Sequence, residues 1–500
     1  MNIKRAKQEI IDTIGAYLDR DEFGQYRIPE IRQRPVLLMG PPGIGKTQIM
    51  EQIARECDVA LVAYTITHHT RQSAVGLPFI STKEYDGKKV SVTEYTMSEI
   101  IASVYDRMEE SGKREGILFI DEINCVSETL VPTMLQFLQC KTFGNRKVPE
   151  GWVIVAAGNP PEYNRSVREF DVVTLDRVKM IDVEPDFDVW KEYAYRSGIH
   201  AAVIGYIDAH RNHFFKCETT IDGKRFVTAR GWEDLSELIW AYERLGKRMD
   251  AEVTGQYLQH PVIARDFANY LELYYRYRKE YGVSRILAGD IPEDIRGRIR
   301  YAPFDERLQI ISLLHSSLGG SFRQVRQTDL CVSHLFDFLK RFQAEENPDA
   351  QAFEALLAVE KETVRRRIEA GQNEKQIREE YRMVLLALDE WLVDLKSLPE
   401  DPWEQVKGRF GERRQVLEDQ IRETGQMLEC AFDFMEQCFG ESQEMVVFIT
   451  ELTVNPHAMW FLGEYECPRF YRYNKSLLFE DREAQVRKKL DNIRNMMDGA

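Results

Sequence analysis

An α/β fold, a parallel sheet layered with helices and followed by an all-α region, is what three features of the sequence predict. Short apolar runs at residues 35–39, 59–65, 116–120 and 152–157 alternate with helix-period stretches as far as residue 185. These runs are apolar on both faces and rich in β-branched residues, the pattern of parallel strands covered by helices on each side. Beyond residue 186 the pattern changes to i, i+3, i+4 spacing, as in Val203, Ile204, Ile207 and then Leu235, Leu238, Ile239, Tyr242. That spacing predicts amphipathic helices.

The elements justify themselves in order. Residues 1–5 run into a charged, helix-period segment without an apolar signal core, so a cytoplasmic protein is expected. The strand at 35–39 leads through a glycine-rich turn into a helical stretch at 48–56. Between the second and third strands, Phe79-Ile80 and Val90-Ser91-Val92 flank Asp86-Gly87, a turn pair tolerant of positive φ that predicts an inserted β-hairpin at about residues 77–94. Residues 143–149, a turn-rich segment directly ahead of the fourth strand, are a second candidate for an inserted hairpin. Turn residues cluster again at 288–292 and at Leu318-Gly319-Gly320-Ser321, predicting linkers. Two apolar stripes, Phe353, Leu356, Leu357, Val364, Ile368 and Val384, Leu388, Trp391, Leu392, Leu395, predict long helices near the end.

Size and composition bound the answer. At roughly 150 residues per domain, a chain of 500 residues has room for about three domains. The expected organisation is a nucleotide-binding core at 1–185, a helical lid at 186–290, a linker region at 291–330 and a helical domain of unread role at 331–500. With 43% hydrophobic and 30% charged residues the chain can bury real cores, which excludes wholesale disorder. The 82 acidic against 67 basic residues, a net charge of −15, exclude a surface built throughout to neutralise phosphate backbone. No run approaches the roughly 18 apolar residues of a membrane span. Eight cysteines without a CxxC pair or zinc-ligand spacing are expected to be reduced thiols in the core.

The chemistry concentrates in three motifs. Gly40-Pro41-Pro42-Gly43-Ile44-Gly45-Lys46-Thr47 satisfies GxxxxGK[ST], follows a predicted strand and opens a predicted helix at Gln48. Glycines let successive backbone N–H groups curl around phosphate oxygens, the helix N-terminus adds positive dipole, Lys46 reaches the β/γ-phosphates and Thr47 can ligate Mg²⁺. Ile117-Leu118-Phe119-Ile120-Asp121-Glu122 places two carboxylates at a strand's C-terminal end, where ligands bind in α/β sheets. Asp121 is read as the Mg²⁺ partner and Glu122 as the base that activates water. After the fourth strand, Ala156-Ala157-Gly158-Asn159-Pro160-Pro161 presents a neutral amide that can bond both phosphate and water without adding charge.

These motifs, in this order and with a hairpin between the second and third strands, resemble the AAA+ ATPases. Finer details resemble the MoxR family: Val-Gly-Leu-Pro at 75–78, Leu175-Asp176-Arg177, and Thr228-Ala229-Arg230-Gly231-Trp232. The resemblance covers about residues 30–245. It implies ATP, with Mg²⁺, bound between core and lid, Asn159 as the sensor-1 residue, and Arg230 as the sensor-2 arginine at the start of a lid helix. It also implies Arg177 as the arginine finger, with Arg165 and Arg168 as neighbouring alternatives. An arginine finger contributes about 10³ to 10⁵ in rate, and one supplied by a neighbour requires an oligomer. The resemblance accordingly implies a homo-oligomeric ring, usually a hexamer. Its implied output is chaperone-like remodelling or maturation of a partner protein, frequently one with a von Willebrand factor A domain, contacted through the inserted hairpins.

Weaker signals read as structure. His68-His69 lack a third metal ligand. The aromatic and basic runs at 274–279 and 469–475 read as half-buried helix aromatics rather than single-strand binders, and Arg365-Arg366-Arg367 as a salt-bridged face. Nucleic acid is therefore not the expected partner. Two other function classes stand beside the remodelling ATPase: a nucleic-acid motor or restriction-type NTPase, and a nucleotide-gated scaffold that does not hydrolyse.

Overall fold

The computed structural model describes residues 1–66, 76–85, 87–125, 130–143, 146–163, 167, 170–221, 223–344, 350–370, 375–397 and 402–475. The chain forms two units, Met1–Val189 with Asn212–Trp232, and Trp190–Arg211 with Glu233–Ala500. His68, His69, Val75, Asp86, Arg165 and Arg168 lie outside the described residues.

The strands of the first unit, in chain order, are β1 (Val36–Met39), β2 (Ala60–Thr65), β3 (Pro78–Tyr85), β4 (Lys88–Tyr95), β5 (Gly116–Asp121), β6 (Thr142–Phe143), β7 (Arg146–Lys147), β8 (Trp152–Gly158), β9 (Lys179–Asp182), β10 (Lys216–Thr220) and β11 (Gly223–Val227). Five of them make one parallel sheet in the order β2-β5-β8-β1-β9. Alternate side chains go to opposite faces. Leu37, Leu118, Ile154 and Ala156 pack with Ile100, Ile101 and Phe137 on one side. Val36, Leu38, Phe119 and Val155 pack with Ile10, Ile14, Met50 and Ile53 on the other. Both faces are thus covered by helices, as the apolar runs predict.

The remaining strands pair as hairpins, β3 with β4, β6 with β7 and β10 with β11. β9 has no counterpart among the predicted runs. It is an edge strand of alternating burial, with Ile181 covered and Met180 and Asp182 exposed, so it never reads as an apolar run. The β10–β11 hairpin corrects the expectation that strands end near residue 186. Only Val227 is fully buried in it, which leaves almost no hydrophobic periodicity to detect.

Among the described residues the second unit is helical. Phe304–Gln343 is one continuous helix through Leu318-Gly319-Gly320-Ser321, where turn residues predict a linker. Interior glycines cost about 1 kcal/mol each relative to alanine, and packing outweighs this. Leu314, Leu318, Phe322 and Val325 are buried, and a Cβ on Gly319 would lie 3.2 Å from Asn455 Nδ2, so the missing side chain admits a close neighbour. The break near 288–292 is real: Val283–Leu287 ends, Gly289 takes φ +84°, and Glu293–Arg300 begins. The two apolar stripes lie on the helices Ala350–Ala370 and Lys375–Ser397, which join Phe338, Phe342, Phe353, Leu357, Leu388 and Trp391 in one core. Arg366 pairs with Glu362 at 3.3 Å, and Tyr274 is buried in the helix Pro261–Glu280.

All eight cysteines are free, but the expectation that they lie in the core holds only for Cys331, Cys438 and Cys467: Cys57, Cys125, Cys217 and Cys430 are half-buried and Cys140 is exposed. Among the described residues no single helix is long and apolar enough to cross a membrane. The bent pair Gln443–Val454 and Pro456–Glu464 passes only on length and composition, and its Phe448, Ile449, Phe461 and Leu462 are buried.

Candidate active site

Parallel register brings the three motifs to one edge of the sheet. Met39 pairs with Gly158 and Ile120 with Ala156, so the residues that follow β1, β5 and β8 emerge side by side. The loop Gly40–Thr47 opens the helix Lys46–Glu56, with Gly43 at φ +76° and Gly45 at φ +89°. Those values favour glycine because a Cβ strains the left-handed region. A Cβ on Gly43 would also lie 3.2 Å from Thr228 Cβ and 3.3 Å from Arg230 Cβ.

Lys46 is only 7% exposed. Its ammonium donates to Gly40 O at 2.8 Å, Pro41 O at 2.8 Å and Asn159 Oδ1 at 2.9 Å. Burial brings its pKa down to about 8; Asp121 and Glu122 oppose the shift and Arg230 adds to it. Thr47 and Gln48 are exposed. Thr47 Oγ1 donates to Asp121 Oδ2 at 2.7 Å, and the Glu122 amide donates to Asp121 Oδ1 at 2.9 Å. The Asp121 carboxylate is therefore held at both oxygens. Glu122 itself has φ +56°, an uncommon conformation for a non-glycine residue and one that marks functional turns.

The sequence reading missed Asn124, which holds Asn159 in place. Its Nδ2 donates to Asn159 O at 2.8 Å, and its Oδ1 accepts from Asn159 N at 3.3 Å. A Cβ on Gly158 would lie 2.7 Å from Asn124 Oδ1, so the glycine before Asn159 makes room for this clamp. A polar residue three positions after Asp121 is a weak cue by itself. Thr228, also unassigned in the sequence reading, accepts from the Gly231 amide through its Oγ1 at 3.2 Å and starts the Ala229–Arg244 helix against the phosphate loop. Arg230 thereby sits beside Gly43.

Arg177 is not brought to this edge. It is exposed and just precedes β9, whose Lys179 pairs with Val36 and donates its amide to Pro35 O at 2.8 Å. It occupies the strand-start edge, opposite the phosphate loop. At roughly 3.3 Å per residue, the length of β1 separates the two.

For Mg²⁺ the residues fit. Thr47 and Asp121 form a hydrogen-bonded, all-oxygen donor pair, and Mg²⁺ favours one or two protein oxygens with the rest water and phosphate. Among the described residues no cluster of three or more His, Cys, Asp or Glu offers an alternative metal site.

Residues 36–175 match the model of the AAA family, ATPases associated with various cellular activities. ATPase family gene 2 protein homolog B of Rattus norvegicus is 29% identical over 140 residues, covering 26% of this chain and 16% of that protein. The Homo sapiens protein of the same name is 30% identical over 138 residues, covering 26% of this chain and 15% of its own length. The chain thus spans less than a fifth of either relative. A candidate ATPase from Cytophaga hutchinsonii aligns over 39% of this chain and 56% of its own at 19% identity, with a TM-score of 0.25, too loose a superposition to bear on fold or function. The motifs of the site fall within the matched segment, and residues 36–175 form an AAA-family ATPase domain.

Proposed function

We propose that this protein hydrolyses ATP as a MoxR-type AAA+ enzyme and uses the energy to remodel or mature a partner protein. The observation that carries the hydrolytic reading is the paired arrangement at the sheet edge, where Lys46 is bonded to Asn159 and Thr47 to Asp121. Gly40, Pro41, Pro42, Gly43, Ile44, Gly45 and Gln48 complete the phosphate cradle. Thr47 and Asp121 would hold Mg²⁺, which when bound neutralises phosphate charge. Lys46 and Arg230 add fixed positive charge, and Asn159 orients water. Water adds to the terminal phosphorus as its proton passes to Glu122 and the bond to the leaving diphosphate breaks.

The position of Arg177 at the far edge supports action on a neighbouring copy, and hence a ring, which we take to be a hexamer. The β3–β4 hairpin supports client contact: Leu77, Phe79, Ile80, Tyr85 and Val90 are exposed apolar residues on or beside it, with Ile80 at 78% exposure. Contiguous exposed apolar residues favour protein contacts. A client with a von Willebrand factor A domain is the expected type. Free thiols throughout the chain fit a reducing, cytoplasmic setting.

The test is Glu122→Gln in the full chain. Turnover is expected to fall at least about 10²-fold, as removal of a general base does, while ATP still binds and a protein client is retained on affinity capture. Unchanged turnover would refute the assignment of Glu122, and recovery of nucleic acid in place of protein would refute the remodelling role.

A further inference from the structure

The second unit contains a cleft of about 330 Å³, lined by residues of the helices Phe187–Ser197, Ala201–Ala209, Pro261–Glu280, Phe304–Gln343 and Gln443–Val454. It lies at the small end of the size range of ligand sites. Part of the lining is charged. Lys191, 5% exposed, pairs with Glu451 and, at 3.1 Å, with Asp208, and Tyr195 donates its hydroxyl to Glu451 at 2.5 Å. Asp208 also meets Arg211 at 3.4 Å. Of the charged residues on the lining itself, Asp208, Glu451 and the exposed Asp305 are carboxylates and Lys191 is a cation, so the lining is acidic.

The lining also carries buried polar atoms without partners. His315, 6% exposed, lines the cavity, and its Nε2 has no hydrogen-bond partner. Burial pushes its pKa down to about 3, so the ring is neutral; the Phe448 backbone bond favours the protonated form and so accepts the ring's one hydrogen. That leaves Nε2 as a bare acceptor. Gln309 Oε1, on the same lining, is a second buried acceptor with no partner. Unpaired buried acceptors are costly, and each calls for a donor. The space itself depends on Gly205, where a Cβ would lie 2.7 Å from Ser312 Oγ and 2.8 Å from Tyr270 Oη.

We propose that this cavity binds a small, singly charged ammonium compound with a second hydrogen-bond donor, of amino-alcohol type. Its N–H and O–H groups donate to Gln309 Oε1 and His315 Nε2, and its charge is offset by the surplus carboxylate. The site is independent of the nucleotide reading.

The test uses the full chain and three four-carbon probes that differ only in their end groups: 4-amino-1-butanol, 1,4-butanediol and 4-hydroxybutanoate. Calorimetry and thermal denaturation are expected to show binding and a raised midpoint with the amino alcohol alone. Gln309→Met should weaken that binding about tenfold or more while raising the midpoint of the unliganded protein, because it removes an unpaired acceptor; a merely structural glutamine would lower it. Gly205→Ala, whose methyl would crowd Ser312 and Tyr270 on the lining, should weaken binding as well. No binding by the amino alcohol, equal binding by the diol or the acid, or unchanged affinity in Gln309→Met would each overturn the proposal.

Discussion

Replacing Asn124 with alanine tests whether the buried clamp on Asn159 positions the amide proposed to orient water. The side chain is 4% exposed and makes two hydrogen bonds, at 2.8 and 3.3 Å, to the backbone O and N of Asn159. A buried backbone group left without its partner costs about 1–3 kcal/mol. The longer of the two bonds counts toward the low end of that range, so the expected loss of stability is about 2–4 kcal/mol. The catalytic effect is separate. Asn159 Oδ1 accepts from Lys46 at 2.9 Å, and a displacement near 1 Å of a positioning group can cost about 10²-fold in rate. Urea unfolding should therefore give a lowered midpoint at unchanged slope. Steady-state ATPase assays below that midpoint should give a kcat reduced about 10²-fold, with KM changed much less. A stability loss within about 0.5 kcal/mol, the range of an ordinary surface substitution, together with wild-type kcat would refute the reasoning.

Two further expectations follow from the same site. Lys46 has a pKa of about 8 when folded and 10.5 as an unperturbed lysine, so across that window the unfolded chain binds a proton that the folded chain has lost, and stability rises with pH. The contribution is about 3 kcal/mol. Lys141, also lowered to about 8 by burial, adds a similar slope, so the measurement is the difference between wild type and Lys46→Met in urea unfolding on either side of the window; equal slopes would rule the assignment out. Arg177→Ala subunits mixed with wild type should reduce ATPase activity more steeply than their fraction, because each removes a charge from a neighbour's site; a strictly proportional decline would exclude action in trans.

Much of the candidate site was legible from residue order alone. Gly43 and Gly45 are needed at positive φ, and Lys46 and Thr47 must follow at the helix start, because a phosphate cradle is a local backbone shape. The four covered strands were equally plain, since burial on both faces writes itself as a short apolar run. Edge strand β9 and the β10–β11 hairpin were not, because strands with exposed faces lose that signal. Gly319 and Gly320 misled in the other direction: turn propensity is a local preference of about 1 kcal/mol per residue, and the packing around Leu318 and Phe322 exceeds it.

Tertiary structure decided what depends on register between distant segments. Asn124 clamps Asn159 only because β5 and β8 are adjacent and parallel, and Gly158 leaves space at that one crossing. Arg177 lies at the edge away from the phosphate loop because β9 pairs with β1 from Lys179 onward. His315 and Gln309 share a cavity with Lys191 because helices drawn from between residues 187 and 454 converge there. The sequence by itself determined which chemical groups are present and which local backbone shapes they prefer; which of those groups meet was decided by packing, a property of the whole fold that no short window of residues contains.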